Sequence, residues 1–288
     1  MNAQIAPAVA NPAVLAEVLG YLNTREFSRA GGKKKEEETL FGQYDRIRAH
    51  YASFELDSLF QPVFDFKKRK VIGHEALLAS VSSGGFSMVG NVLTPQRVFT
   101  LAANEDITFI DRLARTLHSL NYLLQGAKGL LHLNVHPHHL LAVSMDHGRV
   151  FEGILRQCGL ETRNIVLEIP EYAVPEKKRL ADAVNAWQQK GYRIAIDNIG
   201  REQAQVSRIR KLKPDYLKID SKLINAALLD VRQRRVLAKV VQTAKEDNIA
   251  VIAAGIETHA QLDLLHELAI EIAQGFIFGR PQPYCLPI

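Results

Sequence analysis

The polar residues that could do chemistry recur where short apolar runs end. Glu75 lies in VIGHEALLA, Asn134 in GLLHLNV, Glu168 in NIVLEI, Asp197 and Asn198 in YRIAIDNIG, and Lys218 and Asp220 in DYLKID. Glu257 follows just past Gly255, and Gln274 lies in IAQGFIFG. Carboxylate and amide oxygens are hard donors that suit Mg²⁺ or Mn²⁺. A lysine among them would stabilise charge on a phosphoryl oxygen or orient a water. Together they have the makings of a metal-assisted phosphodiester site, whose full form uses two cations about 4 Å apart. The second residue of the 197–198 pair is an amide, although a second carboxylate would bind a second cation better.

Such a set needs strands to carry it. The runs at 59–66, 71–79, 129–135, 164–169, 192–197, 215–220, 249–256 and 272–279 are apolar and β-branched, and helical patterns separate most of them. FIDRLARTLHSLNYLLQ, KRLADAVNAWQQKG and RQRRVLAKVVQTAKEDN repeat apolar residues at three and four. Eight strands largely alternating with helices predict an α/β (β/α)8 barrel over residues 57–288, with its chemistry at the C-terminal strand ends. A doubly wound sheet would favour a glycine-rich phosphate loop after its first strand, and the sequence has none.

Residues 1–56 read as a separate N-terminal helical extension. PAVLAEVLGYLN and EEETLFGQYDRIRAHYASF are expected to be two amphipathic helices around the polar hinge RAGGKKKEEE. No window approaches ~18 consecutive apolar residues, and no basic start precedes an apolar core. Cys158 and Cys285 make no framework. These features read as a reduced, cytoplasmic protein without a membrane partner. The net charge is +5, with bases in short clusters such as FKKRK and RIRKLK. Solvated faces account for them, and without interleaved aromatics a nucleic-acid partner is not expected. His132, His136, His138 and His139 lack a convergent further ligand and read as solvated histidines rather than a zinc site. Trp187 reads as helix packing.

FQPVFDFKKRKVIGHEALL, HLNVHP, LEIPE, IAIDNIG, DYLKID, VIAAGIET and QGFIFGRP resemble, in order and spacing, the EAL family of bacterial phosphodiesterases that linearise cyclic di-GMP. The resemblance covers roughly residues 57–284 and implies a modified TIM barrel. It implies first-metal ligands at Glu75, Asn134, Glu168 and Asp197, and a water-positioning lysine at Lys218. It further implies dinucleotide contacts at Gln61, Leu77, Asp197 and Gln274, a loop-supporting glutamate at Glu171, and the second glutamate of the seventh-strand motif at Glu257. Family members usually continue into a closing helix after the eighth strand, whereas here only RPQPYCLPI follows. The stripe Leu40, Tyr44, Ile47, Tyr51 and Phe54 is therefore expected to form a helix covering strands one and eight. PAVLAEVLGYLN is expected to extend that cover or to reach a partner chain.

The sequence departs from the family at several positions. The usual aspartate pair is Asp197–Asn198, the first glutamate of the seventh-strand motif is Ala254, and the arginine after the EAL signature is Ala79. REQAQ replaces a serine- and glycine-rich loop. The second-metal set is dismantled while the first survives, which leaves no catalytic set intact and makes Lys218, Glu171 and Glu257 vestigial. Two expectations follow from the resemblance. One is a degenerate EAL domain acting as a regulatory module, binding cyclic di-GMP or a protein partner. The alternative is a weak metal-dependent cyclic di-GMP phosphodiesterase. The cofactor is either one weakly held Mg²⁺ or Mn²⁺ or none, and a homodimer is compatible with both readings.

Overall fold

Antiparallel strands can be joined by a tight turn, whereas parallel strands need a crossover, usually a helix. Both connections occur in this chain. The structure is a computed structural model that describes residues 11–27, 39–51, 54–81, 107–138, 152–153, 155, 159–173, 177–201 and 209–288. The hinge run 29–38, residues 202–205, Cys158 and His139 lie outside the described residues.

The helices are α1 (Pro12–Arg25), α2 (Ile107–Leu124), α3 (Lys177–Gln189), α4 (Ser221–Leu229), α5 (Val231–Glu246) and α6 (His259–Glu267). The strands are β1 (Leu40–Gln43), β2 (Arg46–Tyr51), β3 (Phe54–Asp65), β4 (Lys70–Val81), β5 (Leu130–Asn134), β6 (Ile165–Pro170), β7 (Arg193–Ile199), β8 (Tyr216–Ile219), β9 (Ala250–Ala253) and β10 (Ile272–Ala273). The order β3-β10-β9-β8-β7-β6-β5-β4 closes through β3–β4 pairing, so the eight strands read from the sequence form a closed barrel. Strand β3 runs antiparallel to both of its barrel neighbours, and the remaining barrel pairs are parallel. The cause is local. Only residues 66–69 separate β3 from β4, too few for a crossover, and Arg69 turns the chain at φ 53.

Strand alternation sorts the side chains into two sets. Leu167, Ile194, Ile196, Leu217, Ile219, Val251 and Ala253 join the outer core with Trp187 and the helices. Val63, Val166, Ala195, Tyr216 and Ile252 pack with one another in a separate cluster. This second set is an apolar plug inside the barrel. Two residues further along the same faces stand Gln61, Glu168, Asp197, Lys218 and Ala254. Trp187, 1% exposed, is packing as expected.

The N-terminal region differs from its expected form. PAVLAEVLGYLN is helical, but residues 40–51 are a β-hairpin and not a second helix. Tyr44 sits at the turn with φ 57 and is exposed, while Ile47, Ala49 and Tyr51 are buried at alternate positions. The three- and four-residue spacing overlaps a two-residue spacing, and pairing with β3 (Ala49 opposite Leu56) selects the second. The hairpin packs with α1 against Leu113, Leu117 and Leu120 of α2. It borders strand one, β3, as expected of this segment, but by strand pairing, and its apolar side faces α2. Beside β3 the chain's own C-terminal stretch also provides contact: Phe60 N donates to Gln282 O at 2.7 Å and Gln282 N to Phe60 O at 3.1 Å.

Two asparagines complete the hairpin's backbone bonding. Asn23 of α1 accepts from Leu40 N and donates to Leu40 O, both at 2.8 Å, on the outer edge of β1. Asn121 of α2 makes the same pair of contacts with Ile47, both at 2.8 Å. Replacing Asn23 by Ala leaves two backbone groups without these partners, and each such loss costs about 1–3 kcal/mol where the group is buried. Leu40 is fully buried. Asn23→Ala should lower the unfolding free energy in urea by at least about 1–3 kcal/mol, the cost of one such group. A value indistinguishable from wild type would show that α1 does not brace the sheet edge.

Candidate functional site

The polar layer above the plug is built around one buried ammonium. Lys218 Nζ donates to Glu75 Oε2 at 2.6 Å and to Glu168 Oε2 at 2.8 Å. Glu75 also accepts from Asn134 Nδ2 at 3.0 Å and from Gln274 Nε2 at 2.8 Å. Gln274 reaches Gln61 Oε1 at 3.1 Å, and Gln61 donates to Gly279 O at 3.2 Å. On the other side His132 Nδ1 lies 2.8 Å from Glu168 Oε1. His132 is therefore a buried member of the layer, not the solvated histidine expected from sequence.

Charge follows from these contacts. Burial alone would raise the Glu168 carboxyl, but the Lys218 ammonium and the hydrogen bonds from His132 and Lys218 hold it down to about 2. Burial would lower the Lys218 ammonium, and Glu168, Glu75 and Asp197 hold it well above its usual range. Asp197 goes the other way. Burial, with the Glu168 and Glu75 charges added, raises it to about 7 against the pull of Lys218. Asn198, at φ 63, turns its amide to donate to Asp197 Oδ2 at 2.9 Å. A carboxylate there would instead face a like charge, while Asn tolerates the left-handed backbone. The amide thus supports its neighbour.

Two cavities open on this layer and share Glu75, Asp197 and Asn198. One, of about 270 Å³, is lined by Gln61, Lys218, Asp220, Ala254, Glu257 and Gln274 among others. The second, of about 540 Å³, is lined by Leu77, Asn134, Arg115, His118, Tyr172 and Arg201 among others. The structure thus brings Glu75, Asn134, Glu168, Asp197, Lys218, Gln61 and Gln274 together and puts Leu77 and Glu257 on the cavity walls. Glu171 stands behind, where it accepts from Gly200 N at 3.3 Å. Ala79 is buried opposite Asp57 and is not among the lining residues of either cavity.

The sequence reading did not find the outer wall. Asp111 and Arg115 form a buried ion pair at 2.7 Å, and Asp111 Oδ1 accepts from His136 N at 2.9 Å, which ties the segment after β5 to α2. An i, i+4 Asp–Arg pair on one helix face was the available signal.

The donor set bears directly on cation binding. Three carboxylates and an amide are the chemistry a hard cation takes. As arranged, however, Glu75 and Glu168 both serve Lys218. Among the described residues no three His, Cys, Asp or Glu side chains are gathered in a metal-binding group. The ammonium fills the role of the counter-charge.

The EAL domain family matches residues 45–281. The chain belongs to the EAL family. Among curated relatives, the "Probable cyclic di-GMP phosphodiesterase PdeA" of Escherichia coli is 26% identical over 73% of this chain. PdeI of the same organism, named in the same way, is 27% identical over 80% of it. The chain spans 29% of the length of each of these relatives. The fold of this EAL domain is shared with a standalone EAL protein from Vibrio cholerae in its c-di-GMP-bound form, at TM-score 0.71 and 18% identity over 82% of this chain and 97% of that one. Klebsiella pneumoniae BlrP1 in a manganese and c-di-GMP complex superposes at TM-score 0.68, with 24% identity over 79% of this chain and 56% of that one. No helix among the described residues is long and apolar enough to cross a membrane.

Two measurements probe the layer. Removing one partner of a buried ion cluster strands the other charges, at a cost of about 3–5 kcal/mol. Lys218→Met should therefore lower the unfolding free energy by about that amount, and Glu75→Gln with Glu168→Gln in the same chain should recover most of it. Failure of the double glutamine change to recover stability would put the loss in packing instead of charge. The second concerns His118, whose Nδ1 lies 2.7 Å from Ser58 Oγ and which burial lowers to about 3 from 6.5. The unfolded chain takes up that proton first. The contribution to stability is full above about pH 6.5 and declines as pH falls toward 3, by about 1.4 kcal/mol per pH unit. His118→Phe should flatten the fall in unfolding free energy between about pH 6.5 and 5 by that slope. An unchanged slope would mean that His118 titrates normally.

Proposed function

We propose that this EAL domain is a regulatory binding module of cyclic di-GMP signalling that does not turn the dinucleotide over at a useful rate. Ala254 carries the reading. It stands on the wall of the 270 Å³ cavity with Asn198, at the positions where the family resemblance puts a glutamate and a second aspartate. Alanine offers a cation no ligand and a water no base. Loss of a general base alone typically costs about 10²–10⁴ in rate. Loss of a second cation also removes stabilisation of the attacking and leaving oxygens.

Binding is supported by what remains. Gln61, Gln274, Leu77 and Asp197 line two adjoining cavities, which suits an extended dinucleotide better than a single compact group. A cation, where present, is a single Mg²⁺ or Mn²⁺ held weakly by Glu75, Asn134, Glu168 and Asp197, because it competes with the Lys218 ammonium for the same carboxylates. It would supply charge to a phosphate oxygen. The absence of the usual arginine, at Ala79, removes one phosphate partner and favours a protein as second ligand. The alternative, a weak phosphodiesterase, rests on the first-cation residues all facing this mouth.

Turnover and titration together decide between the readings. With Mn²⁺ and cyclic di-GMP in excess, linear product should form at well below about 1 s⁻¹, the low end of ordinary enzyme rates. Calorimetric titration with Ca²⁺ present should show saturable binding. Asn198→Asp together with Ala254→Glu should raise the rate, and either change alone should do little. Wild-type turnover at ordinary rates would overturn the module reading, and absence of cyclic di-GMP binding would leave a protein as the partner.

A further inference from the structure

The opposite end of the barrel has a cavity of its own. It measures about 810 Å³ and lies against Arg193, Tyr216 and Ala250, the first residues of β7, β8 and β9. The polar layer of the proposed site is carried further along the same strands, with the apolar plug between. This floor cavity therefore shares no lining residue with either cavity at the mouth.

Its charge is lopsided. Arg193, Arg210, Lys211 and Lys213 line it beside only Asp215 and Asp247. Asp247 is taken by Arg210, whose Nη2 lies 2.7 Å from Asp247 Oδ1. Asp215 Oδ2 accepts the Ile194 N–H at 2.8 Å. Arg193 is held in place by neutral acceptors, Arg163 O at 3.1 Å and the Tyr216 hydroxyl at 3.0 Å. Among the described residues no carboxylate forms an ion pair with Arg193, Lys211 or Lys213. Three cations thus line one hollow outside any ion pair, against a single lining carboxylate, Asp215, that is likewise unpaired by a cation among the described residues. Lys211 and Lys213 come from the RIRKLK run, which sequence alone assigned to a solvated face.

We propose that this floor cavity is a second binding site, for a small phosphorylated molecule. The volume lies within the ~300–1,000 Å³ of small-ligand sites. A guanidinium fixed by two neutral acceptors presents its remaining N–H groups as a fork for phosphate oxygens, and two exposed lysine ammonium groups add point charges. Pro214 and Ile249 give an apolar wall for the body of the ligand. Because the plug separates the two ends, occupancy of the floor does not depend on cyclic di-GMP binding or turnover at the mouth.

Titrate the full chain with inorganic pyrophosphate in the presence of EDTA, so that no metal bridges the ligand to the mouth. One saturable event per chain is expected, weakening with added salt. Lys211→Ala with Lys213→Ala, both exposed, should weaken it by about tenfold or more. Arg193→Gln should weaken it likewise, while Arg201→Gln, which removes an exposed cation from the mouth cavity, should leave it unchanged. The proposal is overturned by the absence of saturable heat at millimolar pyrophosphate, by equal affinity in the double-lysine variant, or by loss of binding in Arg201→Gln. Failure of cyclic di-GMP to bind would bear on the mouth alone.

Discussion

A lysine ammonium buried inside a barrel must be met by carboxylates, because an uncompensated charge out of water is prohibitively costly. Lys218, 3% exposed, meets that demand with Glu75 and Glu168. Its two partners come from β4 and β6, so one charged group ties together the alternate strands β4, β6 and β8 across the interior. Inward side chains from alternate strands share layers in barrels of this kind. Asn134 and Gln274 extend the tie to β5 and β10 through Glu75, and His132 closes it on the far side of Glu168. The mouth of the barrel is thus fixed by its own charges, with the ammonium in hydrogen-bond contact with one oxygen of Glu75 and one of Glu168.

The same arrangement separates the residues of the mouth from those that hold the fold. The polar layer rests on an apolar plug formed by Val63, Val166, Ala195, Tyr216 and Ile252, and the outer core lies on the other face of the same strands. Ala254 and Asn198 sit at the rim, outside both cores. Asn198 donates a hydrogen bond to Asp197, the carboxyl that burial and its neighbours push up to about 7, where a carboxylate would repel it. Changes there alter what the mouth can bind or activate, while the layers beneath go on holding the barrel closed.

On the outside, the N-terminal helix and hairpin make α2 a buried element, with its other side against the barrel. Arg46 joins three parts of the chain, pairing with Asp57 of β3 at 2.6 Å and donating to the carbonyls of Ser58 and Pro283. The C-terminal stretch continues along β3 and β4, where Leu286 N donates to His74 Nε2 at 3.0 Å. The first and last segments of the described chain therefore brace the same side of the barrel, next to strands that carry Gln61 and Glu75.

The sequence alone determined the eight strands, their order of chemistry and the residues at their mouths, because alternation and short apolar runs bounded by turns are local signals. Glu75, Asn134, Glu168, Asp197, Lys218 and Gln274 were legible for that reason. His132 was equally open to reading, being two residues before Asn134 on the same face. The hairpin at 40–51 was not, since Leu40, Tyr44, Ile47 and Tyr51 fit a helical stripe as well as Ile47, Ala49 and Tyr51 fit a strand. Only the edge of β3 and the face of α2 broke that tie. Nor does any local pattern tell that Arg115, His118 and Arg201 share a wall, or that three cations of β7 and the 210–213 turn share a hollow at the barrel floor. Those groups are distant in sequence, and closure of the barrel is what brings their charges within reach of one another.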